Sequence, residues 1–143
     1  VSRLDPDPSG DQLCRAITIA LQDAGISAGQ IDYVSLDGLA VDKWDTSEVA
    51  GLKKALGKRL EQIPVSCPKS MFGNLLGASS AVDVITTLLA MEHNLVPPTI
   101  NLDDPDPNGL NYVAQTAQEA TIKKALIIAR GRGGINSVLV VEK

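Results

Sequence analysis

Lys69 opens a short segment whose side chains could handle charge, because Ser70 and Asn74 follow it with Gly73 between them. A lysine ammonium stabilises negative charge that develops during a reaction, and an asparagine amide can donate a hydrogen bond to an oxygen that carries such charge. Asparagine cannot shuttle a proton at neutral pH, so the segment predicts charge stabilisation rather than acid–base catalysis. In the competing interpretation, Lys69 is a solvated surface charge and Asn74 is a hydrogen-bonding strut.

Two acidic residues and the single histidine are the other candidates for proton transfer. Asp37 precedes Gly38 after a predicted strand, where it could act as a base, although an aspartate before a glycine is also typical of a turn. Glu48 lies in a predicted helix and could pair with Lys69 if the lysine is buried, as could another carboxylate. His93 stands at a predicted helix end, which favours a capping or solvent-exposed role over ligation or catalysis.

Glycines also concentrate between Arg130 and Asn136, where Gly131, Gly133 and Gly134 require a flexible backbone. A glycine-rich turn can bind phosphate when it opens a helix. This turn joins two predicted strands instead, so we predict no phosphate site there.

Composition excludes several classes of function. The chain has 143 residues, 44% of them hydrophobic and 21% charged, which is typical of a globular domain with a real core. Aromatic residues make up only 3% and the net charge is -4, which argues against nucleic-acid binding. No apolar run approaches the ~20 residues that a membrane span requires, so we predict no membrane partner. No signal peptide opens the chain, and a cytoplasmic location is predicted.

The cysteines do not form a metal site. Cys14 and Cys67 are far apart in the sequence and lack metal-ligand spacing. We predict no metal and interpret both cysteines as reduced structural residues, with Cys67 in the core. A disulfide between them stays an open alternative.

Strands and helices alternate along the chain and predict an α/β layered domain that closes with a hairpin. The predicted helices run from Asp11 to about Ala24 (capped by Ser9 or Asp11), from about Asp45 to Leu56 (capped by Asp45 or Thr46), and from Ala78 to Glu92. The last of these is apolar nearly all round and is expected to be buried. The predicted strands are Ile31–Leu36, Pro64–Cys67, Lys124–Ala129 and Ser137–Val141.

The first ten residues form a different kind of segment. Val1 is not a methionine, and the stretch from Leu4 to Gly10 is rich in Asp and Pro, which predicts an exposed connector. We interpret residues 1–10 as the connector from a missing N-terminal half and residues 11–143 as the domain. A second loop rich in Asp, Pro and Asn is predicted from Asp103 to Gly109.

Three motifs in order resemble the C-terminal half of the β-ketoacyl synthase family. The family's His-Gly-Thr with its following Asp-x-x-Glu corresponds to Asp37-Gly38-Leu39 with Asp45 and Glu48. Its Lys-Ser-x-x-Gly-His corresponds to Lys69-Ser70-Met71-Phe72-Gly73-Asn74, and its Gly-Phe-Gly-Gly-x-Asn to Gly131-Arg132-Gly133-Gly134-Ile135-Asn136. The segment Val96-Pro97-Pro98-Thr99-Ile100-Asn101-Leu102 also follows the family pattern. The resemblance implies half of a thiolase-like fold, with α-β-α-β-α layers.

Both family histidines are replaced, by Asp37 and Asn74, and this departure determines the functional expectation. The resemblance implies that those histidines assist malonyl decarboxylation and stabilise the enolate, while a cysteine in the other half holds the acyl chain. An ionised Asp37 would repel the malonyl carboxylate and the enolate. No catalytic residue is therefore expected at this degenerate site, in which Lys69 and Glu48 are retained and the turn from Gly131 to Asn136 is structural.

The substitutions resemble the chain-length factor, the KS-beta branch of bacterial type II polyketide synthases, where Ala-Arg-Gly-x-Gly-Gly-x-Asn-Ser is usual. That resemblance implies a non-catalytic subunit that pairs with a ketosynthase and shapes the tunnel of the growing poly-β-ketone. The implied partners are the ketosynthase, the N-terminal half of the same subunit as a separate chain, and an acyl carrier protein. No cofactor is implied beyond substrates bound to phosphopantetheine, which Arg130 or Arg132 could contact unless they form structural ion pairs.

Two alternatives stay open. The chain could belong to a divergent β-ketoacyl synthase that still condenses or decarboxylates, or it could be a stand-alone scaffold module. Turnover by the subunit alone would favour the former, and a stable monomer without a ketosynthase would favour the latter.

Overall fold

A five-stranded mixed sheet organises the chain, of which the computed structural model describes residues 5–105 and 107–143. Its strands are β1 (Tyr33–Ser35), β2 (Pro64–Ser66), β4 (Asn111–Tyr112), β6 (Lys124–Gly131) and β7 (Ile135–Glu142), in the spatial order β4-β2-β1-β6-β7. β1 lies parallel to both β2 and β6, whereas β6 and β7 form the predicted antiparallel hairpin. A separate antiparallel pair joins β3 (Leu95–Val96) to β5 (Gln118–Glu119).

In the described part of the chain, four α-helices accompany the sheet, namely α1 (Asp11–Asp23), α2 (Asp42–Leu56), α3 (Lys69–Phe72) and α4 (Ser79–His93). Shorter 3-10 turns cover Ala28–Gln30, Gly57–Glu61 and Leu76–Ala78. The α/β prediction is confirmed, and the predicted strands and long helices are all present within a few residues of their expected bounds. The one-turn α3, β3, β4 and β5 were not predicted, since segments of two to four residues carry too little periodicity.

β1 and the central part of β6 are buried on both faces of the sheet. Alternate residues of β1 point to opposite sides, so Val34 packs in a cluster with α1 and α2, whereas Tyr33 packs in a second cluster with α4. β6 alternates in the same way, with Leu126 in the first cluster and Ala125 in the second. The result is an α/β/α sandwich in which the carboxyl ends of β1 and β2 lead into the predicted site segments.

The predicted N-caps of the first two helices are wrong. The N-cap of α1 is Gly10 at φ 72°, although the Ser9 hydroxyl still accepts from the backbone of Asp11. α2 begins at Asp42, three residues before the predicted start, with Val41 as its N-cap. Asp45 is not a cap because its carboxylate accepts a backbone N–H from Leu39 in the preceding loop, at 3.1 Å.

α4 has an inverted polarity. Its sheet-facing side includes two polar residues, Asp83 and Thr87, exposed by 0% and 1%. The opposite side presents Ile85, Leu88 and Leu89, exposed by 57%, 48% and 49%. In this chain by itself, therefore, only the sheet-facing side of the helix is buried, as expected when the other half of the protein is not present. No helix in the described residues is long and apolar enough to cross a membrane.

Two predicted segments fall partly outside the described residues, namely the connector (residues 1–4) and the loop over residues 103–109 (residue 106). The described part of the connector is only partly exposed, because Pro6 and Gly10 are buried. Its assignment as a link from an N-terminal half stays a prediction.

Candidate functional site

Lys69 is buried, with 5% of its surface exposed, at the start of α3 directly after β2. Its Nζ lies 2.9 Å from Oδ2 of Asp83 and donates to the backbone carbonyl of Leu36 at 3.3 Å. The interpretation of Lys69 as a solvated charge is thus wrong, and its close partner is Asp83 rather than Glu48. A second carboxylate, that of Asp37, lies 3.9 Å from the same Nζ.

Two carboxylates from α2 hold the loop that carries Asp37. Glu48 accepts the backbone N–H groups of Asp37 and Gly38 through its two carboxylate oxygens, at 2.8 and 3.0 Å, and Asp45 accepts that of Leu39. The two acidic residues are three positions apart on a helix and therefore face the same side. Because three successive backbone donors are fixed, the direction of the Asp37 side chain is fixed as well.

The carboxyl groups of Asp37 and Glu48 both have raised pKa values. Burial raises the pKa of Asp37, although the nearby charge of Lys69 opposes the change. Burial also raises the pKa of Glu48, to about 7, against the lowering effect of its hydrogen bond from Gly38. Burial in a region of low dielectric constant therefore favours the protonated form of both carboxyl groups.

The side chain of Asn74 forms hydrogen bonds within the chain, as predicted for a structural role. Its Oδ1 accepts the backbone N–H of Leu76 at 2.8 Å and the hydroxyl of Ser79 at 3.0 Å, which fixes the turn between α3 and α4. The residue is exposed, unlike the buried Asp37. Lys69 and Asn74 line one cleft, and Asp37 lies behind it, next to Lys69.

The cleft has a volume of about 1130 Å³ and lies between α2 and the loops around residues 99–112. Its wall includes the site residues Lys69, Glu48 and Asn74, together with Gly38 and Cys67. Burial raises the pKa of the Cys67 thiol to about 11, so this cysteine stays protonated at neutral pH. Cys67 is buried, as predicted, and neither cysteine forms a disulfide.

The glycine-rich turn connects β6 to β7 and has Gly133 and Gly134 at φ 83° and 80°, which confirms the need for backbone freedom. Arg132 is exposed at this turn. Asn136 accepts a hydrogen bond from Nε of Arg130 at 3.0 Å and donates to the carbonyl of Gly134 at 3.1 Å.

Arg130 is structural, but not as the predicted ion pair. Its guanidinium donates to the carbonyl of Trp44 at 2.8 Å and to the Ser47 hydroxyl at 2.9 Å, and it lies 5.1 Å from the centre of the Trp44 ring. The backbone N–H of Arg130 donates to Oδ1 of Asp37 at 3.2 Å. The hairpin, α2 and the Asp37 loop therefore meet at this residue.

Sequence reasoning missed Asp83 and the contacts of Arg130. The available signal for Asp83 was a charged residue inside an otherwise apolar helix, since charges are rarely buried without a partner. His93 is exposed at the last position of α4, as expected for a residue at a helix end.

Comparisons with known proteins identify the fold and the family. Residues 2–103 match the family model described as "Beta-ketoacyl synthase, C-terminal domain". A 3-oxoacyl-[acyl-carrier-protein] synthase 2 of Vibrio harveyi is 39% identical over 96% of this chain and 34% of the relative.

Two solved structures are similar over nearly the whole chain. A ketosynthase in complex with its type II polyketide synthase acyl carrier protein and bound to the hexaketide superposes with a TM-score of 0.94 at 35% identity, covering 98% of this chain and 35% of that one. The ishigamide ketosynthase/chain length factor superposes with a TM-score of 0.91 at 32% identity, covering 100% and 35%. The chain thus spans about a third of the length of these relatives.

These similarities confirm the predicted fold class, the C-terminal half of a thiolase-like α/β fold. The chain belongs to the β-ketoacyl synthase family and corresponds to the C-terminal domain of its members.

Proposed function

We propose that this chain is the C-terminal part of a non-catalytic chain-length-factor subunit, which pairs with a ketosynthase in polyketide biosynthesis and shapes the tunnel for the poly-β-ketone. The observation that carries the proposal is the pair of residues at the positions of the two family histidines. Asp37 brings a buried carboxylate where developing negative charge would need a donor. Asn74 has its side-chain oxygen occupied by Leu76 and Ser79.

The surroundings of Lys69 support the same conclusion. A catalytic cation stabilises an enolate best when its charge is not already compensated. Here the ammonium lies 2.9 Å from Asp83 and 3.9 Å from Asp37, so little positive potential remains for a substrate in the cleft. The retained motif residues then serve to keep the shape of the site rather than its chemistry.

The exposed surface supports a subunit that requires partners. The chain spans about a third of its relatives and exposes the apolar face of α4, which includes Ile85, Leu88 and Leu89. Contiguous apolar surface of this kind is typical of an interface. We propose that the N-terminal half of the same subunit and the ketosynthase cover these surfaces, and that an acyl carrier protein delivers substrates on phosphopantetheine to the ketosynthase partner.

The decisive experiment measures malonyl-carrier decarboxylation and polyketide formation by the subunit alone, by the ketosynthase alone and by the complex. We expect turnover only when the ketosynthase is present. The rate per ketosynthase is expected to stay the same when a subunit carrying Asn74→Ala replaces the wild-type subunit. Asp37→Asn keeps the size of the side chain and tests whether the residue at the other histidine position contributes to turnover. Turnover by the subunit without a ketosynthase, abolished by either substitution, would overturn the proposal.

A divergent but active synthase is the second candidate, and two observations favour it. Glu48 and Lys69 are both retained and buried, and the relative from Vibrio harveyi is named as a 3-oxoacyl-[acyl-carrier-protein] synthase. The residue at the nucleophile position of the N-terminal half distinguishes the two candidates. A glutamine there supports the chain-length factor, and a cysteine that becomes acylated supports the synthase.

A further inference from the structure

Residues 5–10, here called the strap, lie along one side of α2. The strap contacts Lys43, Ser47, Gly51 and Lys54 of the helix, which recur every three or four positions and so lie on one face. Lys43 pairs with Asp5, and the Lys54 ammonium donates to the carbonyl of Ser9 at 2.8 Å. The strap is therefore a docked element rather than a free linker.

The strap and α2 approach each other most closely at two glycines. A Cβ added to Gly10 would lie 2.4 Å from the backbone nitrogen of Gly51 and 2.8 Å from the carbonyl oxygen of Ser47. Gly10 also has φ +72°, a conformation that other residues rarely adopt. Position 10 thus admits only glycine while the strap is docked.

Ser47 connects the docked strap to the hairpin. Its hydroxyl donates to the carbonyl of Asp7 at 2.5 Å and accepts from the guanidinium of Arg130 at 2.9 Å. A hydroxyl that accepts from a charged donor becomes a stronger donor itself, so the two bonds reinforce each other. Ser47 is fully buried while the strap is docked.

Arg130 links Ser47 to the residues of the candidate site. Its side chain bonds to Asn136 on the far side of the glycine turn, and its backbone N–H donates to Asp37 beside Lys69. The contacts form one continuous path from the strap, through Ser47 and Arg130, to the Gly131–Gly134 turn and the Asp37 loop.

We propose that docking of the strap on α2 controls the order of the Gly131–Gly134 turn, through the hydrogen-bonded path from Asp7 to Ser47 to Arg130. Undocking replaces the fixed carbonyl of Asp7 by mobile water as the acceptor of the Ser47 hydroxyl, which weakens the hold on the guanidinium and loosens the turn at the edge of the site. The proposal is independent of whether the subunit is catalytic, because it concerns only contacts within this chain.

Amide hydrogen exchange on the purified protein, together with any chains that co-purify with it, tests the coupling by following peptides that cover residues 5–12 and 129–137. In Gly10→Ala we expect faster exchange in both peptides, by roughly 2- to 10-fold for the loss of each linking hydrogen bond. Faster exchange in residues 5–12 with an unchanged turn would overturn the proposal. So would a wild-type strap whose amides exchange as fast as those of an unfolded peptide.

The reverse direction provides the second test and does not depend on the folding of the Gly10 variant. Coupling between two sites is reciprocal, so Arg130→Gln is expected to accelerate exchange in the strap, which it does not touch. The matched control is Arg132→Gln, a substitution of the exposed arginine two positions along the same strand and turn. Equal acceleration of strap exchange by both substitutions, or by neither, would contradict the proposed path.

Discussion

Lys69 and Asp83 form a buried ion pair, with Nζ 2.9 Å from Oδ2 and with side-chain exposures of 5% and 0%. The lysine follows β2 and the aspartate lies on the sheet-facing side of α4, so the pair joins the site segment to the helix behind it. Removal of two charged side chains from water is unfavourable. Each of the two is stabilised in the interior by the opposite charge of the other.

Removal of one member alone therefore has a large effect. We expect Lys69→Met to lower the free energy of unfolding by about 3–5 kcal/mol, because the carboxylate of Asp83 is left buried without compensation. The double substitution Lys69→Met with Asp83→Leu is expected to recover most of this loss. Urea unfolding of the single and double variants measures the effect, with Lys58→Met on the exposed surface as the control. Additive losses in the double variant would show that the two residues act independently.

The stability of the folded chain is expected to depend on the protonation of Glu48. Its pKa is raised from 4.5 to about 7 by burial, with Asp37 adding to the rise and Arg130 opposing it. The folded state then binds more protons than the unfolded state between these values, so the stabilising contribution is complete below about pH 4.5 and is lost as the pH rises through 7. A pKa difference of about 2.5 corresponds to roughly 3 kcal/mol.

Glu48→Gln checks this dependence without a large change in side-chain size. We expect the variant to have a flatter stability profile between pH 5 and 8, as measured by denaturant unfolding at each pH. The matched control is Glu92→Gln, which replaces an exposed glutamate and should leave the slope unchanged. Identical slopes in the wild type and in Glu48→Gln would contradict the assignment.

Gly38 is the position where the loop after β1 tolerates least change. An added Cβ would lie 2.5 Å from Sγ and 2.9 Å from Cβ of Cys67, and the backbone has φ +48°. We expect Gly38→Ala to destabilise the chain by about 2 kcal/mol or more through both strain and overpacking. Gly77→Ala provides the comparison, since an added Cβ there meets nothing within 4 Å, and its effect on the melting temperature should be small.

The apolar face of α4 is expected to matter for assembly more than for folding of the chain itself. Leu88→Glu places a charge where the side chain is 48% exposed, so the secondary structure should persist. If this face is covered in the complete subunit, the same change weakens association with the proposed N-terminal half or the proposed ketosynthase partner by 10-fold or more, because a charge is then buried without a partner. Size-exclusion chromatography and co-purification measure the loss, and Ser80→Glu on the same helix is the control. Association that is equally strong in both variants would exclude this face from the interface.

The sequence predicted the main elements well because their patterns are local. Gly25 and Gly57 follow the ends of α1 and α2, and the hairpin was evident from two runs of β-branched residues around a glycine turn. The family motifs also located Lys69, Asn74 and the turn, since each motif lies within a few consecutive residues.

The contacts that orient the site could not be predicted in this way. Lys69 and Asp83 lie on different helices, and the choice of Asp83 over Glu48 as the lysine's partner depends on how α4 rotates against the sheet. The hydrogen bonds of Arg130 to Trp44 and Ser47 likewise connect residues more than 80 positions apart. Sequence patterns report what each segment prefers, whereas these pairings depend on the packing of several segments together.

The inverted polarity of α4 has a practical consequence for protein engineering. A design procedure that turns the most hydrophobic side of a helix inward would rotate α4 by about half a turn and separate Asp83 from its lysine. Replacement of the outward leucines and isoleucine by polar residues to improve expression would carry a second hazard, since it would erase the surface on which we expect the rest of the enzyme complex to assemble. Expression together with the proposed partner polypeptides is therefore the better route to a stable preparation than redesign of this helix.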